Sequence, residues 1–518
     1  MTRVVILGAG IAGVPAAYEL KSRMGSNHDV IVVSDKDYFH FVPSNPWIAM
    51  GWRSRSDVAF PIAPYLHERG IQFICSGVSS IHPGQDKVTL ENGESLFYDY
   101  LLITTGVEGA FDELPGLSTY TQSVLNIEQA EQAHVAYKEF VKDPGPIVVG
   151  AMQGSSILGP VYEYAFLADA DLKRRNIRAR VPITLVTPEP WPGHLGLGAA
   201  GVSRDAVTAA LADTNITVIS NARTIRVEAT TIHIAEVDGA GNERQLHALP
   251  FAYSVYWPAF RGVFAVRNAT SLVNKRGLVE VDEYLRNRHH PNVFAAGVCV
   301  AHSSVDRTPL SVGAPDSVYS IQREVDTAVR NILASIRGES LSSSIPQRAQ
   351  WLSDMGDQGA AYLSEPQVPL RNINWMRQGR WVHLAKVDFE KYFVNKIRLM
   401  PAESAPSVAS SIADVVSRYL AGEKEGRGTS AVAAGQPGRN SLELQLARDP
   451  LLELSALARS LGCDPKAFAA ELLTAALTDA KSYLSEGAVD ALESARRALM
   501  VEALPEHQPG VEFHGGGT

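Results

Sequence analysis

Val4-Val5-Ile6-Leu7-Gly8-Ala9-Gly10-Ile11-Ala12-Gly13 is an apolar run that passes without a break into G-x-G-x-x-G. The next residues, Val14-Pro15-Ala16-Ala17-Tyr18-Glu19-Leu20, predict a helix. A second apolar strand, Val30 to Val33, ends about twenty residues later. This strand–turn–helix setting is that of a dinucleotide-binding fold. Gly8 is expected to make the tight turn and Gly10 to let backbone N–H groups approach a pyrophosphate. Gly13 is expected to let the helix pack closely on the strand, with its N-terminus facing the phosphates.

The rest of the chain is compatible with two or three domains. It has 518 residues, an apolar fraction of 45% and a charged fraction of 20%, all in the globular range. A formal charge of −9 disfavours nonspecific nucleic-acid binding. Cys75, Cys299 and Cys463 are widely separated and form no CxxC, so neither a disulfide framework nor a zinc cluster is expected. The first strand begins at residue 4, which predicts no secretory signal, and no apolar run approaches the roughly 20 residues that span a bilayer. The expected location is cytoplasmic, as a soluble protein or one peripheral on the inner membrane face.

The expected fold class is α/β with two Rossmann-type domains, a C-terminal amphipathic membrane-facing region and a small helical tail module. The first domain is assigned to 1–110 and 275–340. It includes the buried strand Tyr100–Ile103, followed by Thr104-Thr105-Gly106, and the strand and turn of Pro291-Asn292-Val293-Phe294-Ala295-Ala296-Gly297-Val298. A second strand–turn–helix begins at Pro146 and defines a domain over 111–274. Its turn reads Gly150-Ala151-Met152-Gln153-Gly154-Ser155, with Met152 and Ser155 where a second fingerprint needs glycine. Met152 is expected to obstruct a second pyrophosphate. In region 341–420, Trp381, Leu384, Ala385, Phe389, Tyr392, Phe393, Ile397 and Met400 recur at helical spacing beside Arg380, Lys386, Lys391, Lys396 and Arg398. The pattern fits an interfacial helix over 380–400 or an ordinary core-facing one. A glycine-rich linker over 421–440 leads to a helical tail, 441–518, read as a dimerisation or docking piece with a possible protein partner.

Several segments, in order, resemble the sulfide:quinone oxidoreductases. They are Phe39-His40-Phe41-Val42-Pro43-Ser44-Asn45-Pro46-Trp47, Gly51-Trp52-Arg53, the stretch from Gly154 to Glu163, Gly193-His194-Leu195-Gly196-Leu197-Gly198, Ala295 to Val300 and Arg371-Asn372-Ile373-Asn374-Trp375. The resemblance covers roughly residues 1–400. It implies FAD in the first domain, a quinone pocket and a membrane surface in the C-terminal region, and a homo-oligomer. It places Gly8, Gly10 and Gly13 on the FAD pyrophosphate, Ser34 or Asp35 at the adenosine ribose, and Val78 beside the adenine. Thr105 and Gly106 line the cofactor, Pro43, Ser44 and Asn45 approach the flavin ring, and Gly297 meets the ribityl-phosphate side, with Val298 where an aspartate is usual. It also implies catalytic roles for Cys299, for Glu163 as an acid–base and for His194 in proton transfer.

The chain departs from that pattern where the family keeps its cysteine pair. Ile157 stands at the first position and Cys299 is matched to the second, while Leu125 replaces a third family cysteine. Asp316 stands where the family places a lysine near the flavin. Three readings follow. A one-cysteine enzyme oxidises sulfide, a persulfide or a small thiol through Cys299; or another reductant feeds the quinone half of the reaction; or a redox-degenerate subunit acts as a scaffold through its tail. A type II NADH:quinone dehydrogenase shares the architecture but needs the second fingerprint that Met152 and Ser155 interrupt. His302 is a further candidate near Cys299, and Cys75 is expected to be an inert core thiol.

Overall fold

The computed structural model describes residues 1–25, 27–198, 201–343, 349–365 and 373–399. The linker over 421–440 and the tail over 441–518 lie outside the described residues, as does Met400. The strands that build the fold are β1 Arg3–Leu7, β2 Asp29–Ser34, β3 Gln72–Cys75, β4 Tyr100–Ile103, β5 Ile147–Ala151, β6 Ile183–Val186, β7 Ile216–Ile219, β8 Tyr253–Trp257, β9 Val293–Ala295, β10 Ala349–Asp354, β11 Gly359–Glu365 and β12 Ile373–Gly379. The helices used below are α1 Gly13–Met24, α2 Asn45–Met50, α3 Gly159–Arg174, α4 Val318–Arg337 and α5 Arg380–Leu399.

The first sheet is parallel, in the order β9-β4-β1-β2-β3. Both faces of β1 are covered, which is why it is apolar throughout rather than alternating. Val4 and Ile6 enter one core cluster, with α1 and α4, while Val5 and Leu7 enter another. The chain leaves β1 toward β2 on one side and β4 on the other, so the carboxyl ends of β1 and β4 flank the switch point where such sheets bind ligands. Gly8, Thr105 and Gly106 stand there, one step from Gly297 at the end of β9. The second sheet is also parallel, in the order β7-β6-β5-β8. A third, antiparallel sheet, β10-β11-β12, leads into α5.

α5 is a core-facing helix. Val382, Lys386, Glu390, Phe393 and Ile397 are buried, a stripe with spacings of four, four, three and four residues. Phe393 lies 5.3 Å from Phe41 and 6.3 Å from Phe39, centroid to centroid, and the Tyr18 hydroxyl of α1 donates to Ile397 O at 2.9 Å. Of the residues read as an interfacial face, Leu384 and Tyr392 are the exposed large apolar ones. The core absorbs the others described, wholly or in part, because packing α5 on the β10–β12 sheet and against Phe39, Phe41 and Tyr18 removes more apolar area from water than a free face would. No helix among the described residues is long and apolar enough to cross a membrane.

The turn after β1 explains its glycines by space. A Cβ on Gly13 would stand 1.9 Å from Gly8 O and 2.7 Å from Thr104 Oγ1, whereas a Cβ on Gly10 would meet nothing within 4 Å. Gly13→Ala is therefore expected to destabilise the protein by about 1–3 kcal/mol through forced separation of α1 from β1. Gly10→Ala should change stability by less than about 0.5 kcal/mol. Urea midpoints of the two variants test the contrast, and equal effects would contradict the packing described.

Candidate functional site

The first nucleotide turn is built to receive an anion. Gly8 has φ +107°, a conformation that disfavours a side chain, and its N–H donates to Val33 O at 2.8 Å, joining the turn to the end of β2. α1 opens on Ala12 with no side-chain cap and no acidic residue in its first turn. Its first N–H groups thus carry the positive end of the helix dipole into the open space beside Gly10. Thr104 closes the other wall, donating from its N–H and its hydroxyl to Leu7 O, both at 2.8 Å. Ser34 and Asp35 follow β2; Ser34 Oγ accepts from Lys36 N–H at 3.2 Å and the Asp35 carboxylate is mostly exposed. Val78, half-buried, begins a neighbouring antiparallel sheet. This set fits the FAD of the family: open glycine backbone for the pyrophosphate, polar groups after β2 for the ribose, and an apolar flank.

Ser44 and Asn45 are buried and turned to protein partners. Ser44 Oγ donates to Glu390 of α5, Asn45 Nδ2 donates to Val124 O at 2.8 Å, and Asn45 Oδ1 accepts from His40 Nε2 at 2.7 Å. Their expected approach to a flavin ring thus rests on backbone rather than on these side-chain groups, with Pro43 only half-buried beside them.

The second turn is closed. Gly154 N–H donates to Ser311 O at 2.7 Å and Gly313 N–H donates to Ser155 O at 2.9 Å, so the segment before α4 lies across the turn. The Ser155 hydroxyl is fully buried against the carbonyls of Trp257 and Pro258, at 3.1 and 2.9 Å. Met152 does not project into a nucleotide site; it fills the core with Val148, Val186 and Tyr256. The approach needs glycine: a Cβ on Gly313 would stand 2.5 Å from Ser156 Cβ, and one on Gly196 would stand 2.4 Å from Gly313 O. Turns 154–156, 193–198 and 311–315 therefore converge. Ile157, at the position matched to a family cysteine, is held at φ +59°, an unfavourable conformation for a β-branched residue that costs about 1–3 kcal/mol.

Cys299 lies in the core and not on an open surface. It is 1% exposed and packs with Val5, Leu7, Ile31 and Val33. Its thiol lies 3.3 Å from Ile103 O and 3.4 Å from Ala296 O. Burial, with the Glu324 carboxylate adding to it, pushes the thiol up to about 12. Burial therefore disfavours a thiolate there, and Cys299 packs as a core residue. Cys75, in contrast, is exposed at the end of β3 rather than inert in the core.

His194 is also fixed structurally. It is fully buried, its Nδ1 accepts from Gly196 N–H at 3.2 Å, and Nε2 lies 3.1 Å from Asp306. Both ring nitrogens thus have protein partners, Gly196 within the turn and Asp306 outside it. Glu189, which the sequence did not single out, holds the same turn. Its buried carboxylate accepts from Tyr162 at 2.5 Å, Thr187 at 2.6 Å and Leu195 N–H at 2.5 Å.

Glu163 lies on α3, 4% exposed, and accepts from Lys386 Nζ of α5. Burial raises its carboxyl to about 7 against the opposing pull of Lys386. Lys386 stands 4.9 Å from the Trp47 ring centre, and Trp47 Nε1 donates to Asp354 of β10 at 2.7 Å. His383 Nδ1 lies 2.9 Å from the other Asp354 oxygen. A titratable carboxyl is thus brought to neutral range, in a buried polar network joining α2, α3, β10 and α5.

Residues 2–324 match the family described as Pyridine nucleotide-disulphide oxidoreductase. The chain is 32% identical over 416 residues to the sulfide-quinone reductase of Aquifex aeolicus (strain VF5), covering 80% of this chain and 94% of that relative. The solved structure of the sulfide:quinone oxidoreductase from the same species matches with a TM-score of 0.75 at 31% identity, over 80% of this chain and 95% of that one. An NADH dehydrogenase-like protein of Mycobacterium tuberculosis (strain ATCC 25618 / H37Rv) is 27% identical over 388 residues, 70% of this chain and 88% of its own. The NDH2 of Plasmodium falciparum, at 16% identity and a TM-score of 0.59 over 76% of this chain and 98% of that one, shares the fold.

The Glu163 environment predicts a pH signature. The unfolded chain releases this proton near the ordinary 4.5, whereas the folded protein holds it to about 7. Between those values the native state binds more protons, so this group makes stability fall as the pH rises through the window. Thermal midpoints from pH 4.5 to 7.5 should show that contribution in the wild type and lose it in Glu163→Gln. Parallel profiles for the two proteins would contradict the assignment.

Proposed function

The chain belongs to the Pyridine nucleotide-disulphide oxidoreductase family and, within it, to the sulfide:quinone oxidoreductases, and from that membership we propose that it carries two electrons from sulfide through FAD to a quinone. The observation that carries this reading is the pairing of Gly154 and Ser155 with 311–313. It takes up the Gly154 N–H at the second turn, while the first turn stays open at Gly10. A donor small enough to need no nucleotide site is then the one that fits, and sulfide is such a donor.

Bound FAD supplies the two-electron carrier between donor and quinone. In net terms two hydrosulfide ions and a proton yield a hydrogen disulfide ion while the quinone becomes quinol. One sulfur–sulfur bond forms, and the second sulfide is the sulfur acceptor. No protein disulfide enters this balance, in keeping with Ile157 in the turn and Cys299 in the core. The turns at 154–156 and 193–198 form the sulfur end. The quinone end is the region where α5 buries Lys386 against Glu163, and the neutral-range carboxyl of Glu163 is suited to move the proton that quinone reduction consumes. The exposed Leu384 and Tyr392 of α5 offer a peripheral contact with the membrane that holds the quinone.

Anaerobic sulfide added to the full-length, FAD-loaded protein is expected to bleach the flavin absorbance, and a soluble quinone to restore it. Cys299→Ala should bleach at a rate within about twofold of wild type, because the thiol is buried and protonated. Loss of bleaching in that variant would return the chemistry to the thiol, and a flavin that stays oxidised in the wild type would overturn the proposed donor.

A further inference from the structure

Between the end of β9 and the start of α4 the chain runs from 296 to 317 without a regular element, and it brings His302 and Asp316 together over Glu324 of α4. His302 Nε2 lies 3.0 Å from Glu324 Oε1 and 3.7 Å from Asp316 Oδ1. One donor atom from each of the three residues falls within 4.8 Å of the others. The side chains of Asp316 and Glu324 are only 7% and 3% exposed. The second Glu324 oxygen accepts from Gly297 N–H at 2.7 Å, which fixes the carboxylate from behind.

Asp316 Oδ1 is buried from solvent and has no hydrogen-bond partner among the described residues, while His302 Nε2 makes its 3.0 Å contact with Glu324 Oε1. A buried acceptor left in this way is costly, and a bound ion would offset that cost. The charges point the same way. One imidazolium against two carboxylates leaves a net negative charge within the group, whereas a neutral imidazole with a dication leaves none.

We propose that His302, Asp316 and Glu324 bind a divalent transition-metal ion. Ligand atoms held at about 2.0–2.2 Å from such an ion lie roughly 3–3.5 Å from one another, so small side-chain adjustments close the site. One imidazole and two carboxylates suit Zn²⁺, Mn²⁺ or Fe²⁺ better than Ca²⁺, which takes a larger set of oxygens. The bond from Gly297 N–H to Glu324 supplies the outer support that orients a ligating carboxylate. The ion would tie the 301–317 segment to α4. That is the segment whose residues 311–313 close the second turn.

The test is a Zn²⁺ titration of the full-length, FAD-loaded protein against a competing chelating dye. One Zn²⁺ per chain is expected at a site weakened at least tenfold in His302→Ala and in Asp316→Asn, and unchanged in His67→Ala, which alters an exposed histidine elsewhere. Flavin absorbance and thermal midpoint report folding. If His302→Ala does not fold, the near-isosteric Asp316→Asn decides. Absence of Zn²⁺ binding in the wild type, or equal affinity in wild type and Asp316→Asn, would overturn the site and leave the cluster an internal ion pair.

Discussion

The backbone hydrogen bonds that join Gly154 and Ser155 to Ser311 and Gly313, at 2.7 and 2.9 Å, divide the two nucleotide folds of this molecule into one that is open and one that is closed. Both folds have the same ingredients: a parallel sheet, a turn after a buried strand, and a helix starting beyond it. What separates them is which backbone groups remain available. In the first, the glycine at the second position of the fingerprint faces empty space. In the second, a strap from the first domain lies on the turn, and a glycine at each close approach lets it do so. Backbone groups paired in this way are costly to free in a buried setting, so the closure is part of the fold and not a passing contact.

The closed turn shapes the chemistry around it. With the second turn closed, Ser155, Gly196 and Gly313 converge there. Ile157 holds a left-handed conformation in this turn, and its side chain carries no sulfur. Glu163 of α3 and Lys386 of α5 tie α5 to the core. A buried ion pair is weak evidence for stability, but removal of one partner alone is expensive. The pair therefore sets where α5 sits, and with it the aromatic packing of Phe389 and Phe393 on Phe41.

Much of this architecture was legible in the sequence, and the parts that were not share a physical cause. The strand and glycines at 4–13 report themselves because every constraint on them is local. The interrupted fingerprint at 150–155 was also readable, although Met152 acts by filling the core and not by blocking a phosphate. The burial of Cys299 was not legible, because a turn after β9 returns the chain to the cluster of Val5 and Leu7 and no spacing rule encodes that return. α5 was visible as a helix, but its inward stripe passes through Lys386 and Glu390. A pattern judged on apolar residues alone puts such positions in water. The partners of those charges, buried Glu163 and half-buried Arg53, lie hundreds of residues away in sequence. The cluster of His302, Asp316 and Glu324 was hidden for the same reason, being assembled from an irregular loop and a helix.

The central claim is that one nucleotide turn of this chain is open and the other shut. Equilibrium dialysis of the full-length protein against NADH, with FAD counted after denaturation, tests it most directly. The account predicts one FAD per chain, no saturable NADH binding at millimolar concentration and no anaerobic bleaching of the flavin by NADH. Stoichiometric NADH binding with flavin reduction would contradict it, because it would require the strap at 311–313 to leave the turn it covers.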